Sequence, residues 1–124
     1  MEKLFEKFEK VVYDNDFNTF KEMVDALENI NIQNKYGWTL LHVAIRRDRR
    51  DMVAYLLEKS ADINKVDGVG WTPLMEAIMD DKPELCKYLL EHGADKTIAN
   101  DRGATAFMLA QKFGRASMYE YFKD

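Results

Sequence analysis

The residues that could carry out chemistry are few and are poorly placed for it. His42 and His92 are the only histidines, and neither has a cysteine or carboxylate at a spacing known for zinc ligation. Cys86, the single cysteine, falls among apolar residues, which favours a small buried side chain over a nucleophile. Asp80 and Asp81 are adjacent, so they cannot share one helix face as a catalytic pair would. We therefore predict no enzyme activity, no metal and no cofactor.

A basic run at residues 46–50 (RRDRR) raises a second possibility, the binding of nucleic acid. Asp48 and Asp51 dilute this run, and a net charge of −4 with a pI near 5.2 argues against a polyanionic partner. Arg46 and Arg47 fall at the end of a predicted helix, where cations suit the helix dipole. Two interpretations of these arginines stay open, a solvated surface and contact with a protein partner.

The composition is that of one ordinary folded domain. The 124 residues are 47% hydrophobic and 32% charged, well away from the composition of disordered chains. The first ten residues, MEKLFEKFEK, have no signal-peptide core, and nothing approaches the roughly 18 continuous apolar residues of a membrane helix. A single cysteine allows no intrachain disulfide. We expect a cytoplasmic protein with no membrane partner.

The elements that must position the polar and aromatic residues follow a period of 33 residues. Three segments align without a gap, at residues 37–44 (GWTLLHVA), 70–77 (GWTPLMEA) and 103–110 (GATAFMLA). A second set keeps the same period, at residues 52–57 (MVAYLL), 85–90 (LCKYLL) and 118–123 (MYEYFK). In the unit that lies one period closer to the N-terminus, at about residues 1–33, the motif is lost and only the pattern of apolar residues remains. Such a period indicates a repeat protein with a degenerate first unit.

Local signals divide each unit into two helices and a projecting turn. A threonine precedes each first helix, where its side-chain oxygen can cap free amide groups, at Thr39, Thr72 and Thr105. A residue that enters the left-handed conformation readily separates the two helices, at Asn15, Asp48, Asp81 and Gly114. In the first unit, one face of the opening helix is apolar and the other is charged, as expected of a terminal cap.

These segments resemble the ankyrin-repeat family. The family motif G-x-T-P-L-H-x-A matches residues 70–77 except at Met75 and residues 37–44 except at Leu40, and its L-L-x-x-G-A-D ending matches residues 89–95. The resemblance implies an all-α solenoid in a single domain, residues 1–124. Its units are an N-terminal cap at about 1–33, two repeats at 34–66 and 67–99, and a C-terminal cap at 100–124. It also implies that His42 contacts neighbouring backbone.

The resemblance places partner binding on the concave strip formed by the turn tips and the exposed face of the first helices. These columns vary between units, whereas the Leu and Ala columns do not. Trp38 and Trp71 share one column at a spacing of roughly 10 Å, so they either form an aromatic ridge for a partner or pack over the neighbouring turns. The predicted partner-binding residues are Tyr13, Tyr36, Trp38, Arg46, Arg47, Val69, Trp71, Met79, Asp80, Arg102, Lys112 and Phe113.

The strip has the mixture of aromatic, Met and Arg side chains that is typical of protein interfaces. We expect a complete protein, monomeric when free, that works as a non-catalytic protein-interaction module. A stoichiometric inhibitor, a sequestering protein or an immunity-type protein fits this expectation best. A two-sided adaptor is the alternative, and a nucleic-acid-associated regulator is the third possibility.

Overall fold

A computed structural model describes residues 2–123, which form a stack of antiparallel helix pairs. Met1 and Asp124, which the sequence assigns to the terminal caps, lie outside the described residues. The helices within the described residues are α1 (Glu2–Tyr13), α2 (Phe17–Asp25), α3 (Leu40–Arg46), α4 (Arg50–Glu58), α5 (Pro73–Met79), α6 (Pro83–Glu91), α7 (Ala106–Lys112) and a 3₁₀ helix (Ala116–Phe122). The single β pairing across this range is a bridge between Gln33 and Thr39.

The predicted threonine caps begin the first helices of the three later units. Thr39 Oγ1 accepts a hydrogen bond from the amide of His42, three residues later. In the same way, the hydroxyl oxygens of Thr72 and Thr105 each accept a hydrogen bond from the amide three residues later. Each first helix then ends at a residue with positive φ, which turns the chain back into the second helix. The predicted column is confirmed, with φ of 56° at Asn15, Asp48 and Asp81 and 68° at Gly114.

Stacking of the units produces one continuous core. The helices pair as α1 with α2, α3 with α4, α5 with α6, and α7 with the 3₁₀ helix, while the first helices of neighbouring units also pack on one another. Repeated columns fill the space between them. Fully or almost fully buried residues one period apart include Leu41 and Leu74, Ile45 and Ile78, Leu56 and Leu89, and Ala44, Ala77 and Ala110. No unit could bury these faces alone.

The N-terminal unit is the predicted cap. Helix α1 buries Phe5, Phe8 and Val12 against the stack, and the Phe8 ring meets the Phe20 ring of α2 edge to face at 6.0 Å. Its opposite face is charged and exposed, with Glu2, Lys3, Glu6, Lys7 and Lys10. Helix α1 therefore presents a polar surface to solvent on this side.

The last unit differs from the prediction in its second helix. The period predicts an α-helix here, but residues Ala116–Phe122 form a 3₁₀ helix. Tyr119 stands in the column of Val53 and Cys86, which are fully buried in the earlier units. Tyr119 is larger than either of these residues, and it is half-buried and packs edge to face on Phe107 at 5.8 Å. We attribute the tighter winding to this change in side-chain volume, since 3₁₀ turns are common where a helix cannot pack along its full length.

Neighbouring turns are joined by backbone hydrogen bonds. The Gly68 amide donates to the Tyr36 carbonyl at 2.9 Å, and the Asp101 amide donates to the Val69 carbonyl at 3.1 Å. Within each turn, one side-chain oxygen accepts two amide protons, as Asp67 Oδ1 does from Val69 and Trp71. These bonds fix the backbone on either side of the turn tips.

Two arginines join the second helix of one unit to the first helix of the unit before it. Arg49 donates from Nε and Nη2 to the carbonyls of Val12 and Tyr13, both at 2.8 Å. Arg115 makes the same pair of bonds to Ile78 and Met79. These carbonyls end α1 and α5, where oxygens lack helical partners and a cation suits the helix dipole.

Replacing a turn glycine should test how closely the units approach. Gly37 and Gly103 share a φ of 81°, but a Cβ on Gly37 would collide with the backbone of Gly68, whereas nothing lies within 4 Å of a Cβ on Gly103. We expect Gly103→Ala to cost about 1 kcal/mol of unfolding free energy for the positive φ alone. Gly37→Ala should cost at least about 3 kcal/mol, because backbone must also move. Urea denaturation measures both. Equal losses would contradict the close approach.

Candidate partner-binding surface

Trp38 is held at the base of the first complete turn. The backbone amide of Trp38 donates a hydrogen bond to Asn34 Oδ1 at 2.9 Å. The half-buried ring of Trp38 packs against the core. The Arg46 guanidinium, at the end of α3, lies over this ring with 3.9 Å from its carbon to the ring centroid. The Tyr36 ring, more than half exposed at the turn tip, approaches Trp38 from another side at 5.3 Å between centroids. The three side chains therefore form one aromatic and cationic cluster on the surface.

His42 positions the next tryptophan. The Thr39 amide donates to His42 Nδ1 at 3.1 Å, so that nitrogen carries no proton and the neutral ring holds its proton on Nε2. Nε2 then donates to the Trp71 carbonyl at 2.9 Å. Burial lowers the pKa of His42, which favours this neutral form. The expected contact between His42 and neighbouring backbone is confirmed, and it attaches Trp71 to the preceding unit.

A buried carboxyl pair lies beside these residues on α5. Glu76 is 7% exposed, and its Oε1 accepts a hydrogen bond from Arg46 Nη2 at 3.1 Å. Burial raises the pKa of Glu76 from its ordinary 4.5 to about 7, with the neighbouring Asp80 carboxyl adding to the rise and Arg46 opposing it. Asp80 Oδ2 is buried and accepts no hydrogen bond from the described residues when both groups are ionised. A proton on Glu76 can be donated to Asp80, which favours the protonated form of Glu76.

Glu76 is the residue of this surface that the sequence analysis missed. It lies in the column of Val43 and Leu109, both buried in their own units. A carboxyl in an otherwise apolar column is the signal that could have found it, since buried charges usually have a specific partner or role.

A cleft opens between the first helices of the two complete repeats. It encloses about 370 Å³, and we name it the Trp71–Met79 cleft; it is lined by Arg46, Asp67, Val69, Trp71, Glu76, Met79 and Asp80. A smaller cleft of about 110 Å³ adjoins it around Trp38, Val43, Arg46, Arg47 and Glu9. Arg46 lines both clefts, so they form neighbouring parts of one surface. Five of the predicted partner-binding residues, Arg46, Val69, Trp71, Met79 and Asp80, meet in the larger cleft.

The remaining predicted residues extend this surface towards both ends of the stack. Tyr13 is 61% exposed, and the Arg47 guanidinium lies over its ring at 4.8 Å. Arg102, Lys112 and Phe113 are exposed in the last unit, where the Lys112 ammonium lies 5.6 Å from the Phe113 ring centroid. These three residues line neither cleft.

The two tryptophans occupy an intermediate position between the two interpretations of the sequence. Both rings are half-buried and pack against the core, and the described residues include no direct ring contact between them. The predicted aromatic ridge is therefore interrupted, because Arg46 stacks on Trp38 and also lines the cleft beside Trp71. Trp38 and Trp71 support their turns and expose only part of each ring.

Clefts of similar volume also lie along the second helices. One of about 400 Å³ is lined by Val24, Asp25, Leu27, Glu28, Ile30 and Lys59, and another of about 410 Å³ lies beside Tyr88 and His92. Neither contains a predicted partner-binding residue or a buried carboxyl pair. The first-helix surface is the better candidate site for this reason.

The other groups considered for chemistry have structural surroundings. Cys86 is fully buried on α6, and burial raises the pKa of its thiol to about 12, so it is a poor nucleophile. Residues 2–123 contain no group of three or more His, Cys, Asp and Glu side chains arranged to hold a metal ion. None of the helices in that range is long and apolar enough to cross a membrane.

Stacked helix pairs with projecting turns, and a variable surface of aromatic and charged residues, define an α-helical repeat protein. A family model described as ankyrin repeats (3 copies) matches residues 9–100 and, overlapping them, residues 62–124. The chain therefore belongs to the ankyrin-repeat family, and it is a protein–protein interaction module. No match is found among curated proteins.

The carboxyl pair predicts an unusual pH dependence of stability. Because the folded state raises the pKa of Glu76 from 4.5 to about 7, it binds this proton more tightly than the unfolded chain does. The contribution of Glu76 to the unfolding free energy should therefore fall by roughly 1 to 3 kcal/mol from about pH 5 to about pH 8. Glu76→Gln should remove this fall and should be more stable than the original protein at the higher pH.

Urea denaturation at several pH values measures both effects. Glu91→Gln, at an exposed position on α6 outside the ion pairs of the described residues, is the matched control and should keep the fall of stability with pH. A pH profile for Glu76→Gln that parallels the original would show that Glu76 titrates normally.

Proposed function

We propose that this ankyrin-repeat protein is a non-catalytic, stoichiometric inhibitor, sequestering protein or immunity-type protein. It binds one protein partner through the first-helix face and turn tips, and it works in the cytoplasm. The observation that carries this proposal is the continuous surface on which Arg46 connects the Trp38 cluster to the Trp71–Met79 cleft. Aromatic and arginine side chains at the centre of a surface are the residues that most often dominate binding energy.

The preorganisation of this surface supports tight one-to-one binding. Asn34 and Asp67 hold the backbone at the two tryptophans, and His42 holds the Trp71 carbonyl. Arg46 is already ordered between the Trp38 ring and Glu76. Since these groups are fixed before binding, less conformational entropy is lost when a partner docks.

The dimensions of the stack suit a folded protein or a long peptide. Four units at about 10 Å each give a strip of roughly 30 to 40 Å, which is long enough for an interface of about 800 Å² on each partner. The three clefts of about 370 to 410 Å³ are open to solvent, so they suit side chains of a macromolecule better than an enclosed small molecule. The net charge of −4 disfavours a nucleic-acid partner.

Exposed residues at the turn tips give the cleanest test. Tyr36 and Val69 are each 56% exposed, so Tyr36→Ala/Val69→Ala should leave the fold intact while removing contacts at the tips. A partner is first captured from the native lysate, identified by mass spectrometry and purified. In calorimetry it should bind with one-to-one stoichiometry, and the double variant should weaken binding by at least about tenfold.

Lys87→Ala/Glu91→Ala, at exposed positions on α6, is the matched control and should bind as the original does. The activity of the captured partner should fall in proportion to the added chain and level off at one equivalent. Unchanged affinity in Tyr36→Ala/Val69→Ala would reject this face. A ternary complex with two different proteins on a sizing column would instead support the two-sided adaptor.

A further inference from the structure

The Trp71–Met79 cleft has a carboxyl group, Asp80, whose buried oxygen depends on a proton of Glu76 for a hydrogen bond. Asp67 Oδ1 accepts two amide protons, and Glu76 accepts a hydrogen bond from Arg46. Asp80 Oδ2 is buried and receives no hydrogen bond from the described residues when Glu76 is ionised. Arg46 is the only cation among the residues that line the cleft, against three carboxyl groups. The charge balance of the cleft therefore favours a second cation.

The repeat itself shows how this protein holds a guanidinium group. In the unit before, Arg46 lies flat over Trp38 and forms an ion pair with a carboxylate. One period later, Trp71 takes the place of Trp38, but Met79 takes the place of Arg46. Among the described residues no cation lies over the Trp71 ring. The second tryptophan thus has the aromatic face and a carboxyl neighbour without the arginine that completes the first.

The walls of the cleft suit a planar cation. Trp71 offers an aromatic face, Met79 a polarisable thioether, and Val69 an apolar edge that is open to solvent. Guanidinium is weakly hydrated, stacks on indole rings and can form two parallel hydrogen bonds to one carboxylate. An ammonium group can use the charge of Asp80 but gains less from the flat ring.

We propose that the Trp71–Met79 cleft binds an arginine side chain of the protein partner, stacked on Trp71 and ion-paired with Asp80. This inference rests on the proposed function, because it names the side chain by which the partner is recognised at the same surface. The incoming arginine repeats the arrangement of Arg46 on Trp38. Its positive charge takes over from the proton on Glu76 as the group that offsets the repulsion between the two carboxyl groups.

A small probe tests the cleft without knowledge of the partner. Nα-acetyl-arginine amide is titrated into the isotopically labelled chain, and its isosteric neutral analogue, Nα-acetyl-citrulline amide, serves as the control. We expect the arginine amide to shift the Trp71 indole and Met79 methyl resonances with millimolar affinity. The citrulline amide should leave both resonances in place, because it matches the shape but has no charge.

Two variants locate the binding. Asp80→Asn keeps the shape of the side chain and should abolish the shifts. Met79→Arg supplies an internal guanidinium at the position equivalent to Arg46, so it should also block the arginine amide. Dispersed amide spectra of both variants verify that they are folded. Absence of shifts in the original protein, equal shifts with citrulline amide, or shifts that persist in Asp80→Asn would each overturn the assignment.

The partner-binding surface and the arginine-binding cleft are tested by different measurements, so either can be rejected without the other. If Tyr36→Ala/Val69→Ala loses the partner but the arginine amide does not bind, the surface is retained and the cleft assignment is wrong. If the arginine amide binds but that double variant keeps full affinity for the partner, the cleft stands and the proposed mode of partner binding is rejected.

Discussion

The close approach of neighbouring turns is the constraint on which the rest of the structure depends. Backbone hydrogen bonds from Gly68 to Tyr36 and from Asp101 to Val69 hold each projecting turn against the one before it. At this spacing the first helices pack on one another and the apolar columns close into one core. The same spacing sets the width of the cleft between α3 and α5. The geometry of the candidate surface thus depends on how the units stack.

The site includes a charge that the fold alone does not need. Glu76 occupies a column whose other members, Val43 and Leu109, are apolar, and its burial raises its pKa. A buried carboxylate disfavours the folded state unless it is paired, and Arg46 only partly compensates for it. Local conflicts of this kind are common at functional sites, where binding matters more than maximal stability. The pair of α5 carboxyls fits that pattern.

The sequence predicts the repeat, the threonine caps and the left-handed turns because each depends on a few neighbouring residues. The sequence also predicts that Trp71, Met79 and Asp80 lie on one surface because their columns vary between units, and these residues line one cleft. The hydrogen bond between Arg46 and Glu76 was not predictable from the sequence. These residues belong to different units, and their contact depends on the positions of two side chains and not on neighbouring residues in the chain. The second helix of the last unit is present as predicted, but the period does not reveal that it winds as a 3₁₀ helix.

The arginine bonds between units have a consequence for the length of the protein. Arg49 and Arg115 each reach carbonyls that lie 36 and 37 residues earlier in the chain. Lys82 occupies the corresponding position between them. Because this register repeats with the period, excision of residues 67–99 would bring Arg115 opposite the carbonyls that end α3. A chain shortened by one whole unit would therefore keep this arginine register between the units that become neighbours.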